Sequence, residues 1–298
     1  VAIITALLVV MLAASIAAFL LAQQSHALTR TARATERAQA MLFAPPTLDY
    51  ARSLLSNLPK DQVDLSQPWV QGLRAIPVDG AVASGLLRDE AGLFNLNNLV
   101  NDDGKASEPD VQVFARLLTG LKLNPDLANA VTDWIDADDE PRAGGAENGT
   151  YFSMPAPYRS ANQRMVFVDE LIRVRGFDAA TINRLRPFVT ALPARTKVNF
   201  NSAPQEVLVA LLPNVPADEI AALVRVRVTK PFVKIEGDGG LRSALGKTPE
   251  TAMSMLDTNS RFMSASIALD YGGTQVRQSA LLFRGSEKWP SIIWVKTD

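Results

Sequence analysis

The chain of 298 residues contains no cysteine and only one histidine, His26. No disulfide framework, thiolate metal site or thiol nucleophile is available to it. A multi-histidine zinc site is excluded, and His26 sits at the edge of an apolar segment, away from any acid or nucleophile pattern. Charge of one sign is also lacking. Thirty basic residues balance thirty-one acidic ones, for a net charge of -1. That balance carries no nucleic-acid footprint. What remains is ordinary globular composition, 47% hydrophobic and 20% charged, on a chain long enough for two moderate domains.

The N-terminus is the first strong feature. Residues 1–22, VAIITALLVVMLAASIAAFLLA, carry no charge and no proline. As a helix they span roughly 33 Å, enough to cross the hydrocarbon core of a bilayer. The next residues, QQSHALTRTARATERAQAMLFA, are good helix formers with no Gly or Pro before Pro45. The expectation is one helix of roughly 43 residues, half in lipid and half in water. Ala27, Thr31, Ala34, Ala38, Met41 and Leu42 form a candidate stripe for packing on the rest of the protein. Arg30, Arg33 and Arg37 would put that end in the cytoplasm by the positive-inside rule. A short basic leader removed ahead of Val1 would reverse the orientation, and the absence of an initiating Met suggests such a leader.

Downstream, LDYARSLLSNLPK reads as a short helix. Residues 67–100 hold two or three short strands between Gly, Pro and Asp-Gly turn signals. Between 108 and 229 about six short helices follow, punctuated by Pro125, Gly176 and the Pro213/Pro216 pair. After residue 260 the apolar period switches to two. RFMSASIALDYGGTQVRQSALLFRG is strand, Gly-Gly turn, strand, and KWPSIIWVKTD is a third strand. The expected fold is α+β: the flanking strands pair into one antiparallel sheet against the N-terminal helix, and the helices form an insert. The expected divisions are a membrane span over 1–23, the first part of a head over 24–105, a helical insert over 106–230 and C-terminal strands over 231–298. No internal repeat is evident.

The densest charge lies in DWIDADDEPRAGGAEN, residues 133–148, with six carboxylates and one arginine. Carboxylates this close repel unless water, donors or a cation separate them. Counted from Asp136, Asp138 is third, Glu140 fifth and Glu147 twelfth, the ligand offsets of an EF-hand. Pro141 stands where an EF-hand needs Gly, so this is not such a loop. Asp133, Asp139 and Asn148 extend the candidate set, Tyr151 and nearby carbonyls would complete it, and the charge suits one or two ions. The alternatives are a solvated acidic loop after a helix, or a carboxylate pair for catalysis, for which no nucleophile or base stands nearby. Asn95, Asn97, Asn98, Asn199 and Asn201 read as turn-closing residues, with Phe94, Leu96 and Leu99 pointing into the core.

Five segments together resemble the K-type minor pseudopilin of bacterial type II secretion systems: the Val1 helix with Thr5, DEAGLFNLNNL, DWIDADDEPRAGGAEN, PYRSANQRMVFVDELIRVRGF and LPARTKVNFNSAP. The resemblance implies a pilin-like fold, a long N-terminal helix on an antiparallel sheet, with a large inserted all-α domain. It implies no enzymatic activity and a calcium-binding insert, so Asp133, Asp136, Asp138, Asp139, Glu140, Glu147 and Asn148 become the expected Ca²⁺ ligands. Some members carry a disulfide that this chain cannot make. Val1, Ile3, Ile4, Thr5, Leu7 and Leu8 become the membrane and packing surface, with Val1 the product of prepilin peptidase and the site of N-methylation. Most pilins have Glu at the fifth mature position, paired with a neighbour's N-terminus; Thr5 implies a subunit with no such neighbour above it. The implied place is the tip of the pseudopilus, in the inner membrane with the head in the periplasm. The implied partners are the I-type and J-type minor pseudopilins, then the H-type, secreted substrate or the outer-membrane channel.

A second reading treats VNFNSAPQEVLVALLPNVPADEIAALVRVRV as a helix-hairpin-helix unit of a membrane-tethered DNA-binding protein, with Arg225, Arg227 and Lys230 as its cations. Its turn, LPNVP, has prolines where backbone donors to phosphate are needed.

Overall fold

The computed structural model describes residues 2–59, 61–78, 80–246 and 248–297. The expectations for Val1 lie outside the described residues. Helix α1 (Ala2–Leu42) runs almost directly into α2 (Ala44–Ser56). Every residue from Ala2 to Thr35 is exposed, including Ile3, Ile4, Leu7 and Leu8. This helix is long and apolar enough to cross a membrane. Thr5 turns its hydroxyl back to Ala2 O within the helix, at 2.9 Å. Pro45 and Pro46 do not stop the chain's helical path. They fall in the first turn of α2, where a missing N–H leaves nothing unpaired.

The contact face differs from the expected stripe. Ala27, Thr31, Ala34, Ala38, Met41 and Leu42 are all exposed. Ala40, Ala44, Thr47, Leu48, Ala51 and Leu55 are buried instead. An alanine-rich helix is apolar on several sides, so the side that packs is decided by where the sheet lies. The sheet first meets the helix at Glu36, whose carboxylate accepts from Thr274 Oγ1 at 2.5 Å.

That sheet has five antiparallel strands in the order β1-β2-β7-β8-β9. Strands β1 (Leu73–Val78) and β2 (Ala81–Asp89) come before the insert. Inside the insert lie short strand β3 (Phe94–Asn95), α3 (Glu108–Gly120), α4 (Leu127–Ile135), α5 (Asn148–Phe152), α6 (Ala179–Leu185) and β4 (Val189–Thr190). They are followed by β5 (Val198–Asn199), α7 (Gln205–Leu211), α8 (Ala217–Val226), α9 (Leu241–Leu245), α10 (Glu250–Ser254) and β6 (Leu256–Asp257). The chain returns through β7 (Phe262–Tyr271), β8 (Thr274–Phe283) and β9 (Ser291–Thr297). Gly272 and Gly273, at φ 59° and 84°, make the tight β7–β8 turn that L-residues resist. β2 and β7 are neighbours, with Asp89 opposite Met263. The insert therefore leaves and re-enters the sheet at one place, and the sheet closes without it.

Two cores follow from this topology. One lies between α1–α2 and the sheet, built from Ala40, Leu48, Leu55, Leu87, Ile267, Leu269 and Leu282 among others. The larger belongs to the insert and runs from Phe94 to Leu256. It takes in Phe232, Leu241, Leu245 and Met253, so residues 231–257 pack with the helices rather than with the C-terminal strands. The expected division at 230 thus falls inside one core.

The insert is also a repeat, which the sequence did not reveal. β3 pairs in parallel with β4, and β5 pairs in parallel with β6. After each first strand comes Asn-x-Asn. Asn97 N–H donates to Asn95 Oδ1 at 3.1 Å, and Asn201 N–H to Asn199 Oδ1 at 3.0 Å. Asn97 then exchanges two hydrogen bonds with the backbone of Met165, at 2.8 and 2.9 Å. Asn201 does the same with Phe232, at 2.8 and 2.9 Å. A helix pair follows each motif, α3–α4 in the first half and α7–α8 in the second. The five asparagines are buried to within a few per cent and act as pegs for backbone. The halves differ most in one link. From α4 to Met165 the chain spends residues 136–164; from α8 to Phe232 it spends only 227–231.

Candidate metal centre

The long link of the first half carries the acidic stretch. Asp133 lies on the last turn of α4, Asp136 is the residue that ends it, and Glu147 immediately precedes α5. All three are buried, and their carboxylate oxygens lie within 4.8 Å of one another. Asp133 Oδ1, Asp136 Oδ1 and both Glu147 oxygens are buried with no hydrogen-bond donor. Burial is the main force on their protonation, with like-charge repulsion second for Asp136 and Glu147. It pushes Asp136 up to about 7, helped by the charges of Asp138 and Asp133. It pushes Glu147 up to about 8, helped by Asp136, Asp133 and Asp139. Asp133 is raised by burial too, against the pull of the Arg142 and Ala146 backbone N–H groups.

The nearest cation does not neutralise them. Arg142 turns its guanidinium to Glu108, at 2.7 Å, and to Asn129 Oδ1, at 3.0 Å. Only its backbone N–H reaches the cluster, donating to Asp133 Oδ2 at 3.0 Å. Gly145 allows the loop to close on that carboxylate. A Cβ there would stand 1.9 Å from Asp133 Oδ2. Backbone has been brought against the carboxylates as closely as a side-chain-free residue permits.

The remaining expected ligands stand outside the cluster. Asp138 and Glu140 are exposed; Asp138 Oδ1 accepts from Glu140 N–H at 2.9 Å and closes a turn. Exposed Asp139 accepts from Asn148 N–H at 3.2 Å. Asn148 Oδ1 accepts from Ser160 N–H at 3.0 Å. The EF-hand offsets therefore unite only Asp136 and Glu147. Tyr151 is core rather than ligand: its ring packs edge-on against Trp134, 5.2 Å between centroids, and its hydroxyl accepts from Arg175 N–H.

Sequence reasoning missed two polar residues at this site. Ser160 is buried, and its hydroxyl lies near enough to Glu147 to lower that group's pKa. Asn162 has a left-handed φ of 45°, donates its N–H to Trp134 O and its side-chain amide to Asp138 O, and keeps Oδ1 buried without a partner. Neither belongs to the acidic run, and a φ of that sign is not written in a sequence.

Three buried carboxylates with four partnerless oxygens, and an Arg142 guanidinium that is turned to Glu108 and Asn129, form a hard-oxygen donor set. Such a set suits a divalent cation. With one histidine in the chain, at exposed position 26, and no cysteine, neither an imidazole nor a thiolate enters the cluster.

The α7–α8 hairpin fits DNA no better in three dimensions than in sequence. Arg227 is buried and donates to the carbonyls of Phe200 and Ala203. It is unavailable to phosphate.

Comparison with known proteins agrees with these features. Residues 92–194 match the family described as Type II secretion system (T2SS), protein K. The chain is 32% identical to the type II secretion system protein K of Pectobacterium carotovorum subsp. carotovorum, over 96% of this chain and 93% of that protein. It is 31% identical to that of Aeromonas hydrophila, over 95% and 93%. Among solved structures it resembles a chain in the crystal structure of the GspK-GspI-GspJ complex from the type 2 secretion system of enterotoxigenic Escherichia coli. The TM-score is 0.78 at 25% identity, covering 90% of this chain and 99% of that one. With the helix-on-sheet head and its α-helical insert, these matches make the chain a member of the type II secretion system protein K family, the K-type minor pseudopilins.

Proposed function

We propose that this pseudopilin caps the tip of a periplasmic pseudopilus and holds structural Ca²⁺ at Asp133, Asp136 and Glu147. The observation that carries the calcium reading is the convergence of three buried carboxylates, four of whose oxygens have no hydrogen-bond donor among the described residues. Calcium accepts six to eight oxygens in loosely specified geometry, whereas magnesium prefers few carboxylates and several waters. Asn162 Oδ1 and loop carbonyls would complete the shell. The ion would close residues 136–164 and so couple binding to folding. One ion suits the three buried carboxylates; a second would have to use the exposed Asp138, Asp139 and Glu140.

The tip reading rests on shape. A pilus packs subunits through apolar N-terminal helices, and α1 offers such a surface through its exposed, uncharged first half. The insert is larger than the sheet that carries it, too bulky to lie beneath another subunit. Thr5 in place of a carboxylate removes the need for a partner in lipid. The I-type and J-type minor pseudopilins are the proposed lateral partners, since the similar solved structure is of a complex with them. The H-type subunit would lie below, and the insert would face secreted substrate or the outer-membrane channel. The anchor would sit in the inner membrane after prepilin peptidase removes a leader ahead of Val1 and the new N-terminus is methylated.

The test uses protein lacking residues 1–23, which belong to the exposed part of α1. Calorimetric titration should show saturable calcium binding that magnesium at equal concentration does not reproduce, lost in Asp136→Asn and Glu147→Gln. No heat above the Asp136→Asn baseline would sink the calcium assignment. For the tip, full-length protein should co-purify with the I-type and J-type subunits; failure to do so would remove the proposed partners.

A further inference from the structure

Next to the carboxylate cluster the insert holds an open cavity of about 680 Å³. That is ample for side chains of a bound peptide. Trp134 and Tyr158 lie at its back, and Arg159, Ile172 and Arg173 stand at its rim. Tyr158 is held by donating its hydroxyl to Arg173 O at 2.7 Å. Ile172 leaves 56% of its surface in water, unusual for an isoleucine beside an aromatic wall.

The charge at this rim is one-sided. Arg159 lies over the Phe152 ring, 5.9 Å away, and Arg173 uses only its backbone carbonyl. Among the described residues neither guanidinium has an ion pair. The one carboxylate lining the cavity, Glu170, turns Oε1 to the backbone N–H groups of Val166 and Phe167, at 2.7 and 2.9 Å. Other arginines are paired: Arg186 with Asp169, Arg164 with Asp102, Arg242 with Glu236 and Glu250. Two unpaired arginine forks beside an exposed isoleucine and an aromatic wall complement carboxylates flanking an apolar side chain. Two cations are too few for a nucleic-acid backbone.

The cavity also shares a wall with the metal centre. Ser160 lines the cavity, hangs by its N–H from Asn148 Oδ1 and turns its hydroxyl toward Glu147. Asn162, two residues on, holds Trp134 O with its N–H at 3.0 Å. The segment that closes one site therefore shapes the other.

We infer that this cavity is the docking site for an extended acidic segment of a partner protein, its apolar side chain against Trp134, Tyr158 and Ile172 and its carboxylates on Arg159 and Arg173. That a bound cation sets the wall rests on the calcium reading above; the docking site itself does not.

The probe is a short fluorescent peptide alternating leucine and glutamate, read by anisotropy against the calcium-loaded full chain in detergent. Saturable binding is expected. It should weaken by roughly tenfold in the Arg159→Glu/Arg173→Glu double variant. It should be absent for the same peptide with lysine for glutamate. The double variant should melt with wild type, because both arginines are exposed and unpaired. No binding of the acidic peptide, or equal binding to the double variant, overturns the docking site. Chelation separates the two readings. Peptide binding that survives chelation upholds the docking site and removes the cation from its wall. Calorimetric calcium uptake without peptide binding upholds the metal centre and overturns the docking site.

Discussion

The two halves of the insert share strand pairing, asparagine pegs and a helix pair, and they part at the residue that ends the second helix. In the first half that residue is Asp136; in the second it is Arg227. Arg227 turns inward, is buried, and satisfies two carbonyls of its own half. Burial lowers its pKa only to about 10, so it stays charged at neutral pH. The second half thus supplies its own internal cation, and a link of residues 227–231 suffices. The first half turns an acid inward, adds two more, and uses residues 136–164 to enclose them. Buried charge of one sign is costly unless something of the other sign arrives. One scaffold has been finished once with a buried arginine and once with three buried carboxylates.

The largest expected effect tests whether the halves are equivalent. Asn97→Ala would orphan the N–H and carbonyl of Met165 and the carbonyl of Leu192. Asn201→Ala would orphan the N–H and carbonyl of Phe232 and weaken the hold on Thr258 O. Each should destabilise by about 3–5 kcal/mol in denaturant unfolding. A loss confined to one variant would break the equivalence.

The next effect separates the halves. Calcium at a hundredfold excess over its Kd should stabilise the wild type by about 2.7 kcal/mol. Arg227→Met should lower the starting stability yet keep that increment, while Asp136→Asn should abolish it. An increment lost in Arg227→Met would mean that the two halves act as one.

A further effect appears with pH in calcium-free protein. Asp136 and Glu147, at about 7 and about 8, hold their protons more tightly folded than unfolded. The folded state then binds more protons than the unfolded state from about pH 4 up to those values. Stability should therefore fall as pH rises through that window and level off above it. Calcium should remove the fall, because bound carboxylates are already ionised. Calcium-free stability that rises across pH 5–8 would contradict the burial of these groups.

The smallest effect concerns the rim. Glu140→Gln removes an exposed carboxylate outside the cluster. Stability should change by less than about 0.5 kcal/mol, and calcium affinity only slightly. A loss comparable to Asp136→Asn would draw the rim into the site.

Much of the fold was legible because periodicity is a local signal. The uncharged run after Val1, the alternating strands on either side of Gly272-Gly273 and the apolar spacing of α3, α4, α7 and α8 each declare themselves within a few residues. The α9–α10 region did not, since both helices are only five residues long. The repeat stayed hidden because its marks are sparse. Two Asn-x-Asn motifs and their backbone partners lie far apart in the chain, and the long acidic link puts the halves out of step.

The candidate site was half legible. Six acidic residues in one stretch announced a problem of like charges, and the sequence by itself determined that no histidine, thiol or nearby lysine would solve it. It determined as well a helix long and apolar enough to cross a bilayer, because length and lack of charge are local properties. Which carboxylates turn inward was decided by tertiary structure. Asp133 and Asp136 sit at the end of α4, facing the core, and the close approach at Gly145 brings Glu147 back to them. Asp138, Asp139 and Glu140, carboxylates too and nearer the middle of the run, face water. Only the fold could make that choice, since burial of a charge depends on what lies across the gap, and Ser160, which faces Glu147, lies outside the acidic run.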